Sequence, residues 1–327
     1  MVGGCDIDGD GLDDPWMTQG QGSQVGSVDA FFGGSLPGLV ADGSRNLTLG
    51  MPLRVFEAGL ACVDLVGGAS PDAVVYADQP YVIEGPFNSG DFVNLTPDVV
   101  PRQYDAAISL SSLPVIRVGD VTGDGRPDLV LGESDDGSGN GAVLVVVAGA
   151  VPIEARPIVV GSGEGLGWGV GVGDLNGDHV ADLVVASSST TQVRVFLGPF
   201  DVSSPRTASD ADAVFDDGVA TGRVVAVTDL DGDSVPDLLL WRAGLSDRLS
   251  VVSGAKLMRS AGTVGSEGVV AEFRDVGAPP TTVAARCVAA DVNGDGRSDV
   301  ACGQPNWTDS SSVSAKGRVL VYLQPGP

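Results

Sequence analysis

Nine-residue segments dense in carboxylates carry the most distinctive chemistry in this chain. "DVNGDGRSD" begins at Asp291 and sets Asp291, Asn293, Asp295 and Asp299 at positions 1, 3, 5 and 9. Four further segments repeat the arrangement. They place Asp6, Asp8, Asp10 and Asp14; Asp120, Thr122, Asp124 and Asp128; Asp174, Asn176, Asp178 and Asp182; and Asp229, Asp231, Asp233 and Asp237. Calcium takes about six to eight oxygen ligands at roughly 2.3–2.6 Å, and alternate positions of a tight loop can converge on one centre. Position 7 adds a backbone carbonyl, from Leu12, Arg126, Val180, Val235 and Arg297 respectively. Magnesium suits such loops less well, because it dehydrates reluctantly and demands a stricter octahedron. Solvated Asp-Gly turns are the plainer explanation. They do not account for the fixed spacing, and clustered carboxylates without a cation repel one another.

A sixth copy, "DLVGGASPD" from Asp64, is eroded. Val66 and Gly68 stand where ligands belong, leaving only Asp64 and Asp72. Five calcium sites are therefore expected, with the 64–72 loop empty but still able to turn through Gly67 and Gly68. Position 6 is Gly11, Gly125 or Gly296 in three copies and His179 or Ser234 in two. A positive φ is expected there, and His tolerates that region better than most residues do. His179 is the only histidine and reads as an exposed turn residue. A Ser-His-Asp or Cys-His system would have to be built on it. No catalytic residue is assigned, and the chain reads as a non-enzyme, with acids outside the loops, such as Asp210 or Asp212, left for a lyase or glycosidase.

The elements around the loops recur with them. Loop starts at 6, 64, 120, 174, 229 and 291 are separated by 58, 56, 54, 55 and 62 residues, and such a period marks a repeat architecture. Before each loop lies a short apolar run (115–119, 169–173, 223–228, 286–290), and another follows it (128–132, 182–186, 237–241, 299–303). A third comes later (142–148, 193–197, 249–253, 318–323). These runs are short, β-branched and bounded by Gly, Pro or Asp, so they read as strands. The flanking strands exclude an EF-hand, whose loop opens with similar spacing. No helical spacing with N-caps is convincing. Three strands per period, with room for a fourth, give an all-β fold: a single β-propeller over 1–327 with about six four-stranded blades, seven being the lesser alternative. A β-helix needs shorter repeats, and separate modules of this length are small for independent folding.

At this point the residues resemble a known family. "LGWGVGVGDLNGDHVADLVVAS" (166–187) resembles the FG-GAP repeat of integrin α-subunit propellers, with Leu166-Gly167 at the family's Phe-Gly and Ala186-Ser187 near its Gly-Ala-Pro. "DVACGQP" (299–305) is nearer to the second half, with Gly303-Gln304-Pro305. The resemblance runs through six periods, and its most specific part is the acidic loop. It implies structural calcium along one rim, an extracellular or cell-surface setting, and an adhesion or recognition role toward a protein or glycan ligand. A lectin-like propeller is the alternative, as is a non-catalytic propeller domain of a larger secreted enzyme. Trp16, Trp241, Trp307 and Tyr76 follow loops and offer aromatic faces for sugars, although packing is their plainer role. Family propellers often have seven blades. Five residues precede the first loop here and the chain ends just after the last third strand. An incomplete blade and excision of a monomeric domain from a larger protein both stay open.

Totals narrow the partners. Acids outnumber bases by 43 to 18, for a formal charge of -25, which disfavours nucleic acid and anionic membrane. No apolar run reaches the roughly 20 residues needed for a spanning helix, and no secretory leader is visible in "MVGGCDIDGDG". Asn46, Asn94 and Asn306 open N-x-Thr sequons, to which no glycan is assigned. Cys287 and Cys302 flank the last loop and are either a disulfide or two buried small hydrophobes. Cys5 and Cys62 belong to different blades and are not expected to pair.

Overall fold

A computed structural model describes residues 16–21, 24–31, 46–51, 60–67, 71–76, 80–85, 92–94, 102–103, 115–135, 138–150, 154–242, 248–260, 262–274, 286–291, 297–304 and 318–323. It is an all-β propeller. The strand after each acidic loop explains the architecture. Asp128–Glu133, Asp182–Ser187 and Asp237–Arg242 are buried at every position. A continuous apolar run of this length fits a strand covered on both faces, and here the neighbouring blades supply the cover.

In the blade of the 120 loop, Val115–Gly119, Asp128–Glu133, Ala142–Val146 and Ala155–Val160 pair antiparallel in chain order. The 174 blade orders Leu166–Gly173, Asp182–Ser187, Val193–Phe196 and Ala213–Phe215 in the same way. The 229 blade uses Thr221–Thr228, Asp237–Arg242, Arg248–Val252 and Val269–Arg274. The 64 blade has Leu60–Val63, Asp72–Tyr76, Pro80–Ile83 and Arg102–Gln103. In the last blade Arg286–Ala290, Asp299–Gln304 and Arg318–Tyr322 form three strands. Three outer edges are covered by a parallel strand from the following repeat: Arg206–Thr207 on the 120 blade, Thr263–Val264 on the 174 blade, and Phe92–Asn94 on Asn46–Met51 of the first repeat. Covering an edge in this way hides its unpaired amides and carbonyls.

Alternate residues of one strand serve two cores. Leu129, Leu131, Leu144 and Val146 pack with Val63, Val74 and Val82 between the 64 and 120 blades. Val130, Val143 and Val145 turn the other way, onto Val170, Leu183, Val185 and Phe196 of the 174 blade. Further cores join the 174 to the 229 blade through Val184, Val195 and Leu240, and the 229 to the last through Leu239, Trp241 and Val300. Among the described residues four cores thus link five blades, against the about six expected. The sixth sheet, Trp16–Gln21, Gln24–Phe31, Asn46–Met51 and Phe92–Asn94, opens on the strand after its loop. That loop, with Asp6, Asp8, Asp10, Leu12 and Asp14, lies outside the described residues.

Three other findings bear on the sequence reading. Cys287 and Cys302 are directly paired across their strands, 4.1 Å apart at Cα, and form a disulfide. Cys62 is disulfide-bonded as well, contrary to expectation; Cys5 lies outside the described residues. A short helix, Gly254–Arg259, does occur, capped by the Ser253 side chain, which accepts from the Lys256 amide. It fills a connection inside the 229 blade, too short to show a helical period.

Inner strands of adjacent blades approach closely where one carries glycine. A Cβ added to Gly171 would lie 2.5 Å from Val224 Cγ1 and 2.7 Å from Val227 Cγ2. Gly171→Ala should therefore wedge the 174 and 229 blades apart and cost about 1–3 kcal/mol, read as a lowered denaturation midpoint in urea. An unchanged midpoint would refute this close approach.

Candidate metal centres

The ninth loop residue starts a strand and is its most buried polar group. Asp128, Asp182, Asp237 and Asp299 are 0 % exposed, and Asp72 is 2 % exposed. Each of the first three bridges two hairpins. Asp182 accepts from the Leu175 amide at 2.7 Å and the Gly198 amide at 2.9 Å. Asp237 accepts from the Leu230 and Gly254 amides, both at 3.0 Å. Asp128 accepts from the Thr122 amide and hydroxyl and from the Ala148 amide. Asp72, in the eroded loop, keeps the same pattern with Leu65, Val66 and Gly85. This position is therefore a clasp between the acidic loop and the end of the third strand, whether or not a loop retains ligand residues.

Position 1 caps the turn. Asp174 Oδ1 accepts from Gly177 and Asp178, and Oδ2 from His179. Asp120 repeats this with Gly123, Asp124 and Gly125, and Asp229 with Gly232 and Ser234. Position 5 accepts from the position 7 amide in all three loops, through Asp124, Asp178 and Asp233. His179 and Ser234 both have φ 69° and Gly125 has φ 85°, the left-handed geometry expected of position 6. The His179 side chain is 96 % exposed.

The loops differ in what they gather. Oxygens of Asp229, Asp231 and Asp237 lie within 4.8 Å of one another, the one such acidic trio among the described residues. That convergence fits a hard cation. In the 174 loop, Asn176 instead donates to Asp178 at 2.8 Å and accepts from its amide. In the 120 loop the Thr122 hydroxyl turns to Asp128. Of the last loop, Asp291, Arg297 and Asp299 are described, whereas Asn293 and Asp295 lie outside the described residues.

Position 7 has a role that spacing did not disclose. In three loops its side chain reaches the position 4 glycine of the preceding loop, with Val180 against Gly123 and Arg297 against Gly232, whereas Val235 does not reach Gly177. Arg126 extends furthest, into the eroded loop, where Nη2 lies 3.4 Å from both the carbonyl and Oδ2 of Asp64. A tethered guanidinium thus stands beside the acid of the loop that lost its ligands. Both side chains are more than a third exposed, so the pair contributes at most about 1 kcal/mol. Its signal in the sequence was the glycine at position 4 of every loop.

Among the aromatic residues that follow loops, Trp241 is buried between the 229 and last blades and serves packing. Trp307 lies outside the described residues, and only the strand placement of Trp16 and Tyr76 is described. Among the described residues the exposed tryptophan is Trp168, at 43 %.

Burial raises Asp182 and Asp237 to about 6, against the opposing amide bonds; Asp178 and Asp174 add to the rise in the first, Asp231 and Asp233 in the second. An unfolded aspartate titrates near 3.9, so the folded state binds protons more tightly between about 4 and 6. The stability from these two groups is then full below that window and is lost as pH rises through it. A neighbouring divalent cation favours the charged form and reverses this. Side-chain carboxyl NMR in chelator should show both midpoints near 6, moving down with saturating calcium. Midpoints near 4 in chelator would refute the burial account. Asp72→Ala should cost on the order of 2–4 kcal/mol by orphaning buried amides, equally with chelator and with calcium. A calcium-dependent loss would make Asp72 a ligand instead of a clasp.

Residues 120–185 match the family model described as an FG-GAP-like repeat, and residues 287–322 match the FG-GAP repeat. No curated protein matches the chain. Sixty-one chains of solved structures do. One is the "Crystal structure of BBS1N in complex with ARL6DN, soaked with mercury", 13% identical at a TM-score of 0.45, covering 99% of this chain and 82% of that one.

Proposed function

From the premise that this chain is an FG-GAP-repeat β-propeller, we propose that it is a calcium-stabilised recognition module acting in adhesion outside the cell. The convergence of Asp229, Asp231 and Asp237 carries the metal part of this reading. Asp233 and the carbonyl of Val235 complete that set. The 6, 120, 174 and 291 loops offer their own sets on the same spacing, and the 64 loop takes none. Calcium would supply charge neutralisation, releasing the repulsion within each loop and tying two strands of a blade together. The metal is structural, so the chain's activity is binding rather than catalysis.

The setting is argued from the disulfides. Cys287–Cys302 joins neighbouring strands and Cys62 is also oxidised, which suits an oxidising compartment. Among the described residues no helix is long and apolar enough to cross a membrane. The partner is a protein or a glycan, met by the propeller as one monomeric domain of a larger protein.

Calcium that binds only the folded chain stabilises it by about 2.7 kcal/mol at a hundredfold excess over Kd. Melting should therefore rise on adding calcium and fall in chelator. Asp231→Asn combined with Asp233→Asn should remove one calcium from the stoichiometry measured by titration calorimetry. Melting curves that coincide with and without chelator would end the calcium reading.

A further inference from the structure

A cleft of about 500 Å³ opens between the 120 and 174 blades. It is walled by residues 161–165, which join the two blades, by residues 188–192, which link the second and third strands of the 174 blade, and by residues 207–211, from the connection between its third and fourth strands that runs back along Val159 and Val160. The acidic loops link first and second strands. Antiparallel pairing therefore sets the cleft at the opposite end of the blade. Its volume lies within the roughly 300–1,000 Å³ usual for small-molecule sites.

Two polar atoms here are buried without a hydrogen-bond partner: Glu164 Oε1 and Thr190 Oγ1. Glu164 is held in place by its other oxygen, which accepts from the Ser162 amide at 2.9 Å and hydroxyl at 3.2 Å. Its carbonyl accepts from the Ser189 hydroxyl at 2.9 Å, pinning the two walls together. The carboxylate is thus oriented, with one oxygen unspent. Across the cleft Arg194 donates to Ser187 and Gln192, both neutral. Val160 and Val214 add apolar surface, and no aromatic ring lines the site.

Leaving such groups unpaired is costly, and a matching ligand recovers that cost. The ligand must donate to Glu164 and exchange a hydrogen bond with Thr190. Glu164 and Arg194 are the only charged residues of the lining, so their formal charges cancel. An ammonium would face Arg194, and a carboxylate would face Glu164. A hydroxyl can donate to the one oxygen and either donate to or accept from the other. We infer that this cleft binds a neutral, hydroxyl-rich small molecule of the size of one or two sugar residues. The inference rests on the reading of the propeller as a recognition module and gives that module a ligand class.

The test titrates the whole chain, in calcium and in chelator, with neutral methyl glycosides of common hexoses and their disaccharides, with glucosamine and glucuronate as charged controls. Amide NMR shifts should map to residues 161–165, 188–194 and 207–214. Glu164→Gln, which keeps the shape and the bonds to Ser162, and Thr190→Val should each weaken binding at least fivefold without lowering the melting temperature. No neutral sugar binding below about 10 mM would overturn the inference. So would binding that maps elsewhere, affinities unchanged in both variants, or preference for a charged control. Failure of calcium to alter melting would sink the metal reading alone, and absence of sugar binding by the unaltered chain with calcium binding intact would sink the cleft alone.

Discussion

A buried carboxylate shared between two hairpins is the constraint on which four of the blades depend. Asp182 holds the amide of Leu175 with one oxygen and that of Gly198 with the other. Those amides sit at turns whose neighbouring strand is covered on both faces, so water cannot stand in for the acid. Hydrogen bonds to a charged group contribute about 1.5–3 kcal/mol each, more than neutral ones. Desolvation opposes this by pushing the carboxyl upward. The clasp is thus strong in hydrogen bonds and strained in charge, and a nearby cation relieves the strain without replacing the bonds.

The clasp also sets the register. Asp128 pairs with Gly119, Asp182 with Gly173, Asp237 with Thr228 and Asp299 with Ala290. In each case the ninth residue faces the one just before position 1. A slip of one residue would exchange the faces of the whole strand. Because Leu129 and Leu131 face one neighbouring blade and Val130 the other, that slip would disturb two cores at once. Blade order therefore follows from hairpin register, and hairpin register from where the carboxylate sits.

Spacing and hydrophobic runs made the strands, the repeat and the propeller legible, because each is a local pattern repeated many times. The geometry of position 6 was legible for the same reason, down to the left-handed His179 and Ser234. The eroded loop was readable as a loss, since Val66 and Gly68 cannot supply side-chain oxygens. What filled the loss was not, because Arg126 comes from a loop 62 residues away. The clasp at position 9 was hidden by its residue type: aspartate suits a ligand and a clasp equally, and only burial and the amide partners reveal the clasp. The parallel strands on outer edges are two or three residues long and have no period to detect. The cleft was invisible for a related reason, since Glu164, Thr190 and Arg194 share no motif and meet only when two blades pack.

The two ends of a blade answer to different physics. At the loop end, acids crowd together and geometry is tied to charge, so protons act there directly and the proposed cations would too. At the other end, the Glu164 carboxylate is fixed by Ser162 and its carbonyl by Ser189, with no acidic neighbour among the residues lining the cleft. Between them run strands buried on both faces, whose close packing transmits position but not charge. The proposed calcium would therefore stiffen one rim while the opposite rim keeps a preformed, electrically balanced surface. That separation lets a strongly acidic chain present a neutral binding site.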